Sequence, residues 1–343
     1  MPRVLVVATG RKTRGGITSV INAHETGEQW KKYHCKWIQT HIDTSSILKI
    51  IYFFRAIVQF VILLPFYDLV HIHLAAVNRK IPFVFLTKLF NKKLVVQLHF
   101  PGADTTLFDK KLSHRYRWCM KKADLVIALS YTWKKLIEET YNLHNIRVIY
   151  NPCPLVERDL TEKSDKYILY AGTVNHRKGY DDMIKAFGNV YDKCQGWRLV
   201  IAGNGEIEKG KKLARECGIE NKCEFLGWVS GKDKEKAFKN ASAYCLPSYA
   251  EGFPMGVLDA WAYGLPVITT PVGGLPDILI SGVNALVNAP GDIDGLAQNM
   301  IKITDNSIRQ FLSRKSLEQA DGIFSIDSIT KQLGVLYYEL LKQ

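Results

Sequence analysis

Ten short runs of apolar, largely β-branched residues constrain the fold of this 343-residue chain more than any other feature. In the first half they occupy residues 3–9, 68–74, 93–99, 124–130 and 146–150. In the second half they occupy residues 166–171, 197–202, 222–226, 243–246 and 265–270. Their hydrophobicity is continuous rather than alternating, which marks strands buried on both faces. Helical stretches separate them, so the chain is expected to be an α/β protein built on parallel sheets with right-handed crossovers. The pattern stops and restarts at Asn151-Pro152-Cys153-Pro154, and a charged stretch over residues 157–166 follows. This reads as a linker between two doubly wound domains, residues 1–152 and 153–325. Residues 326–343 form a closing helix expected to pack back toward the first domain. Ligands of such sheets bind beyond the carboxyl ends of the strands, so a cleft between two facing sheets is the expected site.

Composition narrows the setting. The seven cysteines are scattered and form no C-x-x-C, which argues against a disulfide framework or a zinc site and favours a reducing cytoplasm. The opening run of residues 3–8 is too short for a secretory signal and leads into a basic loop. The net charge of +13 is unevenly placed: residues 1–150 hold 23 Lys and Arg against 9 Asp and Glu, while the remainder is nearly balanced. A polyanionic partner for the first half follows, either nucleic acid or an acidic membrane surface. No aromatic-basic recognition motif accompanies the charge, so nucleic acid is set aside.

Residues 47–66 are long and apolar enough to span a bilayer, but Lys49, Arg55 and Gln59 interrupt them and Pro65 closes them. A buried core helix, a membrane-contacting helix and a span are the three readings. A second apolar-basic stretch, residues 79–93, adds to the case for peripheral membrane contact.

Candidate chemistry gathers in loops after the strands. In A-E-G-F-P-M-G-V-L-D, Glu251 and Asp259 stand eight residues apart around a helix start. Pro254 reads as the first helical position. The amides of Met255, Gly256 and Val257 then lack helical partners and, with the helix dipole, offer an anion site. Gly256, without a Cβ, would let a bulky ligand come close. The plain alternative is a cap and a surface carboxylate. Gly15 and Gly16 follow the first strand and suit phosphate approach, or only a turn. His99 ends a strand and faces the ligand crevice, or caps the next loop. His71 and His73 share a strand face without an evident third ligand, which favours a core or interdomain role over metal. Arg177 and Lys178, after Gly172-Thr173, can balance a diphosphate, or simply form an exposed basic loop. Asn204 lies in the Gly203-Asn204-Gly205 turn, and Val229 follows a strand end that could hold a flat base.

Together these motifs resemble the retaining glycosyltransferases of family 4, whose GT-B fold pairs two facing Rossmann-like domains across an interdomain cleft. The stretches that carry the likeness are G-G-I, Q-L-H-F-P-G, A-G-T-V-N-H-R-K-G, L-V-I-A-G-N-G-E, E-F-L-G-W-V, E-G-F-P-M-G-V-L-D-A-W-A-Y-G-L-P-V-I and P-V-G-G-L-P-D. The resemblance implies that Glu251 contacts the donor sugar and Asp259 the ribose hydroxyls. It implies that Lys178 binds the diphosphate, His99 lies beside the transferring sugar, Gly16 lies near the phosphates and the Val229 backbone meets the base. Phe253 belongs to the same donor loop. Three positions depart from the pattern. Asp259 is one methylene shorter than the usual Glu, Asp277 also replaces a Glu, and Thr173 stands where an arginine is common. Arg177 is expected to compensate for that arginine.

The implied reaction moves a sugar, from a UDP-sugar by choice, to a hydroxyl of a glycan acceptor. A lipid-linked acceptor in bacterial cell-envelope polysaccharide synthesis fits best, on the inner face of the cytoplasmic membrane. The resemblance implies neither a metal nor a cofactor; the nucleotide-sugar is a substrate. The rival readings are another GT-B activity on a soluble substrate (a phosphorylase, a sucrose- or trehalose-type synthase, an epimerase) and a non-catalytic binding protein.

Overall fold

The computed structural model describes residues 2–43, 45–99, 110–158 and 166–342, with backbone only for 110–112. The Phe100-Pro101-Gly102 part of the His99 motif and most of the charged linker lie outside the described residues. The chain divides into two compact units: residues 1–154 with 324–343, and residues 155–323.

The first unit is built on six parallel strands: β1 (Val4–Ala8), β2 (Lys36–Gln39), β3 (Leu69–Leu74), β4 (Lys93–Leu98), β5 (Leu125–Ala128) and β6 (Ile146–Val148). Their order is β2-β1-β3-β4-β5-β6. The chain winds outward from β1 to β2 and then restarts at β3 on the other side, so the crevice of this sheet opens at the carboxyl ends of β1 and β3. One face buries Val70, Ile72, Val96 and Leu98 under the helices Ser46–Leu63, Val77–Leu89 and Lys110–Lys122. The opposite face buries Val4, Val6, Leu69 and Val95 under Ile329, Leu333 and Tyr337. Those three residues belong to the helix Ile326–Lys342, which is part of this unit.

The helix Ser46–Leu63 is the crossover from β2 to β3 and is not a buried core helix. Only Ala56 and Phe60 are buried along it. Ile47, Ile50, Ile51, Phe54, Val58, Val61 and Ile62 are exposed, and their recurrence at i, i+3, i+4 and i+7 puts them in one stripe. By length and composition Ser46–Phe66 could cross a membrane. Its ends, however, are tied to two strands of one sheet, and Phe60 and Leu64 are seated in the core beneath it. On the neighbouring helix Phe85 and Leu89 are exposed, as is Phe90 just beyond it.

The second unit has its own six-stranded parallel sheet: β7 (Tyr167–Ala171), β8 (Arg198–Ala202), β9 (Cys223–Gly227), β10 (Ala243–Leu246), β11 (Val267–Thr269) and β12 (Leu286–Val287). The order is β12-β11-β10-β7-β8-β9, so its crevice opens at the carboxyl ends of β7 and β10. β2 and β12, each at a sheet edge, add to the ten strands read from the sequence.

Candidate active site

In the second unit, the loops after β7 and β10 meet around Glu251. After β7 the chain passes Gly172 and Thr173 to Asn175, whose Oδ1 accepts a bond from the Lys178 amide and caps a single 3₁₀ turn, His176–Lys178. Gly179 ends that turn at φ +72°, and a Cβ there would lie 2.0 Å from the Pro247 carbonyl oxygen. This close approach, available only to glycine, brings the turn against the β10 loop. Lys178 Nζ donates to Glu251 Oε1 at 2.5 Å, and Ser248 Oγ donates to the same oxygen at 2.7 Å. Arg177 Nη1 donates to the Ala250 carbonyl at 2.6 Å and lies 4.0 Å from Glu251 Oε2. Glu251 is only 5% exposed. A carboxylate this buried needs its charge balanced, and two cations on one turn supply that. Near these groups Tyr170 donates its hydroxyl to the Thr173 carbonyl at 2.6 Å. Burial first, and then the Glu251 charge, raises that phenol well above its usual range, so it stays a donor.

Asp259 is also buried, at 7% exposure, and accepts a 2.7 Å bond from Lys234 Nζ. Lys234 sits on the helix Gly231–Lys239, directly after the Val229 loop. It was missed in the sequence because Lys232-Asp233-Lys234-Glu235-Lys236 reads as a solvated helix face. Thr173 and Asn204 are exposed and Val229 is half-buried. The loops that carry the first two are stitched together beside them: Val174 N donates to the Asn204 carbonyl at 2.8 Å, and Gly172 N to that of Ala202 at 2.9 Å.

Two expectations at the helix start are corrected. The helix is Met255–Ala262, so Pro254 is its N-cap and not its first residue; ψ 113° at Pro254 is extended. The Val257 amide is not free: it donates to the Pro254 carbonyl at 3.2 Å. The donors available to an anion narrow to Met255 and Gly256. Packing already requires a glycine at 256, since a Cβ there would lie 2.1 Å from the Tyr244 hydroxyl. That hydroxyl donates to the Ala171 carbonyl at 3.1 Å and so ties β10 to β7. Phe253 is buried.

In the first unit, Gly15 has φ +127° and caps the helix Gly16–Thr26, a conformation that glycine reaches without strain. His99 follows β4 directly, its amide bonded to the Leu74 carbonyl at 2.9 Å. Burial, helped by His24 and Lys80, lowers its pKa to about 3, so His99 is neutral at physiological pH. Lys80 is a second residue that the sequence reading left among surface basics. It is buried, donates to Thr40 Oγ1 at 2.7 Å, and burial lowers it to about 7. Among the described residues, no three or more His, Cys, Asp or Glu are placed to hold a metal ion.

Comparisons with known proteins agree with this architecture. The family model for group 1 glycosyl transferases matches residues 156–320, and that for glycosyltransferase family 4 matches residues 41–156. The chain is 25% identical over 294 residues to the N-acetyl-alpha-D-glucosaminyl L-malate synthase of Bacillus anthracis, covering 80% of this chain and 75% of that one. It is 29% identical over 203 residues to the lipopolysaccharide 1,6-galactosyltransferase of Salmonella typhimurium, covering 56% and 55%. Anabaena HepE, solved in complex with UDP, has the same fold at a TM-score of 0.76 and 16% identity, over 98% of this chain and 100% of that one. Matches to the first curated relatives span between 41% and 75% of their length. The chain belongs to the group 1 glycosyltransferases of family 4, with the GT-B fold.

Proposed function

We propose that this chain transfers a sugar from a UDP-sugar to a hydroxyl of a lipid-linked glycan, with retained anomeric configuration and without a metal at the reaction centre. The observation that carries the reading is the Lys178–Glu251–Ser248 group, held where the β7 and β10 loops meet at the switch point of the second sheet. Glu251 orients the sugar. Lys178 and Arg177 face the leaving diphosphate, where charge builds as the bond to the anomeric carbon breaks. Asp259, held by Lys234, takes the ribose hydroxyls. The acceptor oxygen bonds to the anomeric carbon on the face the diphosphate leaves, and a diphosphate oxygen takes its proton. His99 supports the sugar as a neutral hydrogen-bonding group.

The membrane part of the reading rests on different residues. The exposed stripe of Ser46–Leu63, with Phe85 and Leu89, lies in the half of the sequence that holds the excess positive charge. Apolar insertion and attraction to anionic lipid would hold the protein on the cytoplasmic face of the inner membrane, where a lipid-linked acceptor is presented. The likeness to a lipopolysaccharide galactosyltransferase agrees with that setting.

A thermal-shift panel of UDP-, GDP-, dTDP- and ADP-sugars tests the donor. A ligand at ~100 times its dissociation constant adds ~2.7 kcal/mol, and the UDP-sugar is expected to give the shift. Glu251→Gln and Lys178→Ala are each expected to lower turnover at least ~100-fold, the scale of losing one preorganised contact. Near-normal turnover in either variant overturns the site.

A further inference from the structure

Four histidines and a tyrosine gather on one face of the first sheet. His71 and His73 project from β3, His99 follows β4, His24 lies on the helix Gly16–Thr26 and Tyr337 on the helix Ile326–Lys342. The rings of His71 and His73 stack at 4.5 Å, and those of His73 and His99 at 5.1 Å. His73 Nδ1 lies 2.9 Å from His99 Nε2, and His71 Nδ1 lies 2.7 Å from the Tyr337 hydroxyl. The His24 ring is 5.9 Å from that of His73. His73 Nε2 is buried with no hydrogen-bond partner among the described residues.

We propose that His73 is a positioning residue that holds His99 in the tautomer with its proton on Nδ1, so that His99 meets its ligand as a donor and not as a base. One proton is shared in the bond between the two rings. Were His99 Nε2 to donate it, the proton of His73 would sit on Nε2, leaving a buried N–H with no acceptor. With His73 Nδ1 donating, its Nε2 keeps only a lone pair. Orphaned buried donors are the rarer of the two because they cost more. A doubly protonated His73 is not available: burial, together with His71, His99, His24 and Lys80, holds its pKa well below 6.5. His71, stacked on His73 and tied to Tyr337, fixes the plane of the ring that donates. His99 Nε2 is thereby occupied, and its Nδ1–H remains for a ligand oxygen. This chemistry matches a transfer in which the diphosphate, and not the protein, takes the acceptor's proton.

The catalytic half of the proposal rests on the assignment of His99 to the reacting sugar; the tautomer does not. Long-range proton–nitrogen correlation on the full chain, with ¹⁵N-labelled histidine rings, reads the tautomer directly, and His99→Asn assigns the signal. Wild-type His99 is expected to carry its proton on Nδ1. His73→Phe is expected to shift that proton toward Nε2 and to lower kcat by ~10- to 100-fold, as loss of an orienting hydrogen bond does, with the donor KM little changed. His73→Asn, whose amide can donate in place of Nδ1–H, is expected to restore both. A wild-type His99 protonated on Nε2 overturns the proposal even if no variant folds. So does a His73→Asn variant no better than His73→Phe. Unchanged turnover in His99→Asn would instead overturn the role of His99 in the reaction, and with it the effect on kcat, while the tautomer result stood by itself.

Discussion

Removing two side chains from the stripe of Ser46–Leu63 should release the protein from membranes without unfolding it. Phe54 and Ile62 are 60% and 63% exposed, and they lie eight residues apart on the same helix face. Full burial of a Phe or Ile side chain contributes about 1.5–3 kcal/mol. Scaled by the exposed fraction, insertion into lipid contributes about 1–2 kcal/mol for each. The double variant Phe54→Ser/Ile62→Ser therefore loses about 2–4 kcal/mol of partitioning energy, or ~30- to 1,000-fold in affinity at 1.4 kcal/mol per tenfold. Both side chains are largely in water in the free protein, so the urea midpoint should move little, as for ordinary surface changes of within about 0.5 kcal/mol. Sedimentation with anionic vesicles measures the loss. Binding by wild type should also weaken with added salt, since the basic half contributes a screened attraction. A double variant that sediments like wild type, or wild-type binding indifferent to salt, would refute the membrane reading.

Two further predictions concern the interior. The Gly256→Ala variant should lose about 1–3 kcal/mol by overpacking against the Tyr244 hydroxyl, and the added change Tyr244→Phe should recover part of it; a thermally unchanged single variant with weakened donor binding would restore the ligand-approach reading. Stability should also fall in acid. Burial lowers His24 from 6.5 to about 4 and His99 to about 3, so below pH 6.5 the unfolded chain binds protons that the folded chain refuses. Their contribution is complete above pH 6.5 and is lost as pH falls toward those folded values. At pH 5 each costs ~2 kcal/mol of stability, from 1.5 pH units at 1.36 kcal/mol per unit. Urea midpoints at pH 7.5 and pH 5, with a smaller fall in His24→Asn, check this; equal midpoints would disprove it.

The sheets were legible in the sequence because strands buried on both faces are apolar throughout, and runs such as 4–8 are. β2 escaped because an edge strand needs burial on less of its surface: Lys36 and Gln39 flank Trp37 and Ile38, and the run looks mixed. The donor loops were legible through glycines and charges at strand ends. Their partners were not, since Lys234 reaches Asp259 from 25 residues away and looks like any surface lysine. The same limit explains Gly256, whose neighbour Tyr244 is on the strand β10. His71 and His73 announced a shared face by their spacing. Nothing local could announce Tyr337, 266 residues beyond His71.

The chain leaves the first unit near Cys153 and returns at Phe324, where the Cys153 amide donates to the Phe324 carbonyl at 2.8 Å. Ile329, Leu333 and Tyr337 then join Ile21 and Tyr33 in covering one face of a sheet whose six strands were all made before residue 150. On the ribosome that cover stays incomplete through the synthesis of the entire second unit. Domains ordinarily mature in the order they emerge. Here the first unit to begin is the last to close, and its apolar underside must be kept from other surfaces for the time needed to translate the intervening half of the protein.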